Sequence, residues 1–133
     1  MTSEIIYRGE LSTQAVHLRS GTIITTDAPV DNRGKGTSFS PTDLVATAMG
    51  SCVMTIMGIK ARDHGIDMTG AKMSITKKML SEPRRIGAID IVLEMPNKNY
   101  SDIEQKLLEK TLDTCPVGES LHPDLKVHIT LNW

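Results

Sequence analysis

Aromatic side chains are scarce in this sequence: one Trp, one Phe and two Tyr, 3% of 133 residues. A surface that binds nucleic acid by stacking bases needs more of them. The core must instead be aliphatic, built from Leu, Ile, Val and eight Met, whose flexible thioethers fill irregular gaps. Charge of one sign is also lacking. The formal net charge of -1 supplies no basic field for nucleic acid or anionic lipid. No apolar run reaches the ~20 residues of a membrane helix. The opening MTSEIIYRGE has no basic segment followed by an apolar one, so no signal peptide is expected. These absences predict a cytoplasmic protein with no membrane and no nucleic-acid partner.

Motifs are as sparse as aromatics. There is no C-x-x-C, H-x-x-x-H or H-E-x-x-H. A zinc set drawn from Cys52, Cys115, His64 and His122 fits no known spacing, so no metal is expected. G-x-S-x-G is absent, and Gly50-Ser51-Cys52 reads as helix rather than as a strand-to-helix turn. Gly34-Lys35-Gly36 lacks the residues that complete a phosphate-binding loop, and reads as solvated loop. His17 and His128 alternate with strand residues and read as surface or edge groups.

What is present is one domain, residues 1–133, with 39% hydrophobic and 23% charged residues, the composition of a globular chain. Residues 4–7, 15–19 and 22–26 are β-formers, with Ser20-Gly21 as a hairpin turn, so the first third reads as a β-meander. Residues 31–38, DNRGKGTS, form a polar loop. Ser40-Pro41-Thr42-Asp43 then opens a helix: Ser40 as cap, Pro41 at the first helical position, Asp43 completing a capping box. The helix is expected to run to about His64, with Gly65 ending it. Leu44, Ala48, Cys52, Ile56 and Ile59 share one face by their spacing. The other faces are also uncharged from Val45 to Ile59, which predicts burial nearly all round. Gly50 and Gly58 leave room for a neighbouring element.

Residues 71–79 and 86–95 alternate with period two and read as two long strands, joined by a turn at Ser81-Glu82-Pro83. Residues 101–113 read as a second helix, with a Ser101–Glu104 capping box and a stripe of Ile103, Leu107, Leu108 and Leu112. Residues 126–131 are a last strand. The order is α+β, with the long helix on a sheet.

Two cysteines in a reducing compartment are seldom a structural staple. Read locally, Cys52 is either a buried small hydrophobe or a reactive thiol. Cys115 precedes Pro116 and opens a short helical turn, where free backbone N–H groups would favour its thiolate; it is otherwise a cap-region cysteine. Both helices must reach the same small core, which makes a redox pair feasible.

Three stretches together resemble the OsmC/Ohr family of thiol-dependent hydroperoxide reductases. They are Ser40-Pro41-Thr42-Asp43-Leu44 leading through Ala48-Met49-Gly50-Ser51 to Cys52, then Cys115-Pro116-Val117, then Val127-His128-Ile129-Thr130-Leu131. The resemblance covers nearly the whole chain and keeps the family's spacing of twelve from Ser40 to Cys52. It implies an OsmC-like α+β fold, an intertwined homodimer with the long helices at its centre, and a stress-response peroxidase acting on organic hydroperoxides, with hydrogen peroxide as the other candidate. It implies that Cys52 attacks the peroxide and becomes a sulfenic acid, and that Cys115 resolves it to a Cys52–Cys115 disulfide. It further implies recharging by a dithiol, lipoylated proteins included, with no cofactor. The family's supporting arginine maps to Arg33, with Arg19 as fallback. Where well-characterised members carry Glu after the helix-opening Pro, this chain has Thr42. Asp43, one position later and about 100° round the helix, is the candidate arginine-orienting carboxylate. Val117 stands where an aromatic often follows Cys-Pro. These departures place the chain in an outlying subgroup. The alternatives on the same fold are a non-catalytic stress protein binding a small hydrophobic ligand, and a thiol redox sensor.

Overall fold

The computed structural model describes all 133 residues. They divide into two compact units, Met1–Val45 and Ala46–Trp133, with the division falling inside the long helix.

In the first unit, β1 (Ser3–Gly9), β2 (Ser12–His17) and β3 (Ile23–Asp27) form an antiparallel sheet in that order, the meander expected from the β-formers. Ile5 faces Ala15, and Ala15 faces Ile24. Residues 18 and 19, expected in the second strand, lie instead in the turn after it. The Gly21 amide donates to His17 O at 2.8 Å and His17 Nδ1 meets Ser20 Oγ at 2.7 Å, so local side-chain bonds outbid the ladder there. After β3 the chain enters the expected polar loop, which contains one 3-10 turn, Val30–Asn32. Asp27 ties the loop down. Its Oδ2 accepts from the Thr37 amide at 3.0 Å and the Thr37 hydroxyl at 2.8 Å, and its amide donates to Phe39 O at 3.1 Å.

The long helix α1 covers Pro41–Asp63. The cap forms as the sequence predicts: the Asp43 amide donates to Ser40 Oγ at 3.1 Å and the Ser40 amide to Asp43 Oδ2 at 2.8 Å. Gly65 ends it in the left-handed region at φ 67°, where the Ile66 amide bonds back to Ala61 O at 2.9 Å, as in a Schellman closure.

In the second unit, β4 (Lys72–Ser81), β5 (Arg84–Glu94) and β6 (Lys126–Asn132) make a second sheet with β5 central, antiparallel to β4 and parallel to β6. A parallel neighbour requires a crossover, and it is supplied by α2 (Asp102–Glu109) and the single turn α3 (Pro116–Glu119). The Ser101–Glu104 capping box is present at the start of α2. The helix stops at Glu109 rather than at Asp113. The Thr111 hydroxyl takes Leu108 O at 2.7 Å, and the Thr111 amide bonds to the same carbonyl at 3.0 Å, tightening the chain out of α geometry.

The core of this unit lies between α1 and the sheet. Ala46, Met49 and Val53 pack with Ile86, Ile89 and Ile91. Met57 and Ala61 pack with Leu93, Met95 and Leu108. Gly50 allows the close approach: a Cβ there would sit 2.4 Å from Ile75 Cδ1. Gly58 faces open space instead. The strand β5 carries one extra residue, because Lys78 pairs with Ala88 while Met79 pairs with Ile86. Gly87 is the bulged residue. The bulge turns Ile86 to the same face as Ile89, Ile91 and Leu93, and all four are buried.

Two sequence expectations about α1 are corrected. Its buried face is Ala46, Met49, Gly50, Val53, Met57 and Ala61, not the face of Leu44, Ala48, Cys52, Ile56 and Ile59. Those five are half-buried or exposed. A helix apolar on every side gives no period from which to choose a face. The second correction concerns length. At 23 residues with a mean hydropathy of 1.5, α1 is long and apolar enough, by length and composition, to cross a membrane. The sequence reading expected no such stretch. Its buried face packs on the β4-β5-β6 sheet, and 33% of the apolar window is buried.

Candidate functional site

The two cysteines come together in the second unit. Cys52 sits half-buried in the middle of α1 and packs against the core cluster that contains Cys115. Cys115 is only 2% exposed. Its extended backbone, followed by Pro116, starts α3, and its sulfur caps that turn by accepting from the Gly118 amide at 3.4 Å. The short helical turn is the one expected from Cys115-Pro116. Cys52 lies near enough to Cys115 to act on its titration, and both thiols are free. On its other side Cys115 Sγ stands 3.8 Å from Met49 Sδ and 4.0 Å from Met49 O.

The electrostatics of Cys115 reverse one expectation. Backbone N–H groups of Gly118 and Val117 do favour its thiolate, as a helix-opening position should. Burial pushes the thiol up more strongly, and the hydrogen bond with Cys52 pushes it further in the same direction. The net shift is upward, so Cys115 keeps its proton. A sulfur in this position donates its S–H to a neighbour. The acceptors in reach are Met49 Sδ at 3.8 Å and Met49 O at 4.0 Å.

The arginines belong to the first unit. Arg33 is exposed, stands in the left-handed region at φ 67° just after the 3-10 turn, and makes no hydrogen bond or ion pair. Arg19 is exposed in the turn after β2. Asp43 spends one carboxylate oxygen on the Ser40 amide, and the Thr42 hydroxyl lies 3.1 Å from Ser40 Oγ. The histidines weighed as ligands are engaged locally. His64 Nδ1 lies 2.9 Å from Lys60 O, and His122 Nδ1 accepts from the Asp124 amide at 3.2 Å.

Three residues beside the pair were not singled out in the sequence. Met49 touches Cys115 through both its sulfur and its carbonyl; its only sequence signal is its place one turn before Cys52. Asp113 and Glu119 flank the Cys115-Pro116 segment. With Met49, Leu112, Val127 and Ile129 they line a cavity of about 190 Å³ that reaches Cys115.

Residues 34–130 match the family described as OsmC-like protein; the matched span begins one residue after Arg33. A solved structure from Psychrobacter arcticus 273-4, described as an osmotic stress induced and detoxification response protein, is 47% identical, with 99% of this chain and 96% of that chain covered and a TM-score of 0.94. The organic hydroperoxide resistance protein OsmC of Legionella pneumophila shares the fold at 13% identity, with 100% and 98% covered and a TM-score of 0.77. The organic hydroperoxide resistance protein OhrB of Bacillus subtilis shares it at 15% identity, with 99% and 98% covered and a TM-score of 0.66. No curated protein matches.

Proposed function

Since the chain belongs to the OsmC-like protein family, we propose that it is a thiol-dependent peroxidase that reduces organic hydroperoxides through Cys52 and Cys115. The observation that carries this reading is Cys52 packed against the buried cluster that contains Cys115, with both thiols free. In the proposed cycle the Cys52 thiolate attacks the terminal peroxide oxygen. The O–O bond breaks, the alcohol leaves with a proton, and Cys52 is left as a sulfenic acid. Cys115 Sγ then attacks Cys52 Sγ. The S–O bond breaks, water departs with the Cys115 proton, and a disulfide joins the two residues. A dithiol, free or carried as a lipoyl group on a protein, returns both sulfurs to the thiol state. Arg33 supplies the positive charge that favours the Cys52 thiolate, with Arg19 as the fallback and Asp43 as the orienting carboxylate. The chemistry needs no cofactor, and its free thiols suit the cytoplasm.

The active unit in this reading is an intertwined homodimer. Ile5, Ile6 and Tyr7 of the first sheet are more than half exposed, Val45 and Ile59 of α1 are exposed as well, and a surface so apolar calls for a partner. The deciding experiment is intact mass before and after one equivalent of cumene hydroperoxide. Loss of two hydrogens within one chain, abolished by Cys52→Ser and by Cys115→Ser, is expected. An unchanged mass sinks the reading. A second cavity of about 280 Å³, lined by Thr47, Gly50, Ser51, Met54, Thr55, Met73 and Ile75, favours a second reading, a non-catalytic binder of small apolar ligands. Peroxide-inert, slowly labelled cysteines would select it.

A further inference from the structure

The cavity beside Cys115 is distinct in character from the core around it. Its walls are apolar: Met49, Leu112, Val127 and Ile129. Its two acidic groups, Asp113 and Glu119, are exposed, and neither side chain has an ion-pair or hydrogen-bond partner. At about 190 Å³ it holds far more than the ~10–15 Å³ that one water occupies on this measure. Cys115, a residue only 2% exposed, is part of its lining.

We propose that this cavity is the port through which the reductant reaches the Cys52–Cys115 disulfide, that the reductant attacks Cys115, and that Asp113 and Glu119 favour neutral or cationic aliphatic thiols over anionic ones. The inference rests on the disulfide cycle proposed above and adds the route, the sulfur attacked and the charge class of the reductant. The reductant thiolate forms a bond to Cys115 Sγ. The Cys52–Cys115 bond breaks, and its electron pair leaves on Cys52 Sγ. The second thiol of the reductant, deprotonated, then attacks the reductant sulfur of the mixed disulfide. Cys115 departs, takes up a proton, and the reductant leaves as a cyclic disulfide two electrons poorer. Attack at Cys115 expels Cys52 first. That order suits the pair, because burial pushes the Cys115 thiol up and the sulfur that holds its proton more firmly is the poorer leaving group.

The test starts from protein oxidised with diamide, which makes the disulfide without any peroxide. Reduction rates are measured with cysteamine, 2-mercaptoethanol and 3-mercaptopropionate, each normalised to thiolate concentration. The expected order runs from cysteamine down to 3-mercaptopropionate, spread over roughly tenfold at low salt and compressed at high salt. The double variant Asp113→Asn with Glu119→Gln should lose the spread. Acid quenching and peptide mapping after a brief pulse of monothiol should find the adduct on Cys115 and the freed thiol on Cys52. An adduct on Cys52, or an order unchanged in the double variant, overturns the port. If diamide produces no intrachain disulfide, the redox-pair reading itself fails, and the port fails with it.

Discussion

Cys115 Sγ lies 3.8 Å from Met49 Sδ, and Met49 is one helical turn before Cys52. The thioether therefore covers one side of the buried thiol where both line the same cavity. Met49→Ala removes that cover. It should destabilise the protein by about 2–5 kcal/mol in denaturant unfolding and accelerate N-ethylmaleimide labelling of Cys115. Met49→Leu, which keeps the volume, should cost under about 1.5 kcal/mol. Labelling that is equally slow in both variants would show that the thioether does not cover the thiol.

The upward shift of Cys115 links stability to alkaline pH. A thiol whose proton is held more tightly in the folded chain stabilises the fold fully below the unfolded thiol pKa of about 8.5. That contribution is lost as pH rises through the folded value. Stability of the reduced protein should therefore decline from about pH 8.5 upward, and Cys115→Ser should flatten the decline. Urea midpoints measured from pH 7 to 10 check it; an identical slope in the variant refutes the assignment.

Gly34 has no room for a side chain, since a Cβ there would lie 1.6 Å from Ala28 O. Backbone cannot yield as a side-chain tip can. Gly34→Ala should open the loop between Asp27 and Thr37, lower the melting temperature by several degrees and speed proteolysis within residues 28–39. Unchanged proteolysis would show that the loop re-forms around the methyl group.

Arg33→Ala should slow oxidation of Cys52 by cumene hydroperoxide by roughly 100-fold, the scale of removing one preorganised electrostatic group. Arg19→Ala should leave the rate within about threefold, inside ordinary context scatter for a surface residue. Stopped-flow measurement of sulfenic acid formation distinguishes them. The reverse result moves the role to Arg19, and no effect in either removes arginine from the mechanism.

Local chemistry was legible in the sequence. Both capping boxes, Ser40 with Asp43 and Ser101 with Glu104, form where the hydroxyl and carboxylate stand three apart, and Gly65 closes α1 as expected. These features depend on neighbours within one turn. What depends on distant chain was harder to read. The buried face of α1 is chosen by Ile86, Ile89 and Ile91 of a strand far along the chain, and an all-apolar helix offers no preference of its own. The same holds for the thiol of Cys115. Its helix-opening position argued for a thiolate, but the burial that reverses the shift comes from a cluster that includes Met49, 66 residues away. The acidic mouth formed by Asp113 and Glu119 was invisible because neither residue belongs to any motif.

Gly87 adds a consequence for how this strand must be compared with others. One inserted residue puts β5 out of step with itself: even-numbered side chains face the helix before the bulge, odd-numbered ones after it. An alternation search run across the whole strand sums two opposed phases, and the longer stretch after the bulge dominates. Deleting Gly87 would remove the bulge, bring the halves back into phase and keep Ile86 on the face of Ile89, with every ladder partner left in place. The bulge thus acts as a frameshift written into the pleat, and alignments that close the gap at Gly87 will misassign the face of every residue on one side of it.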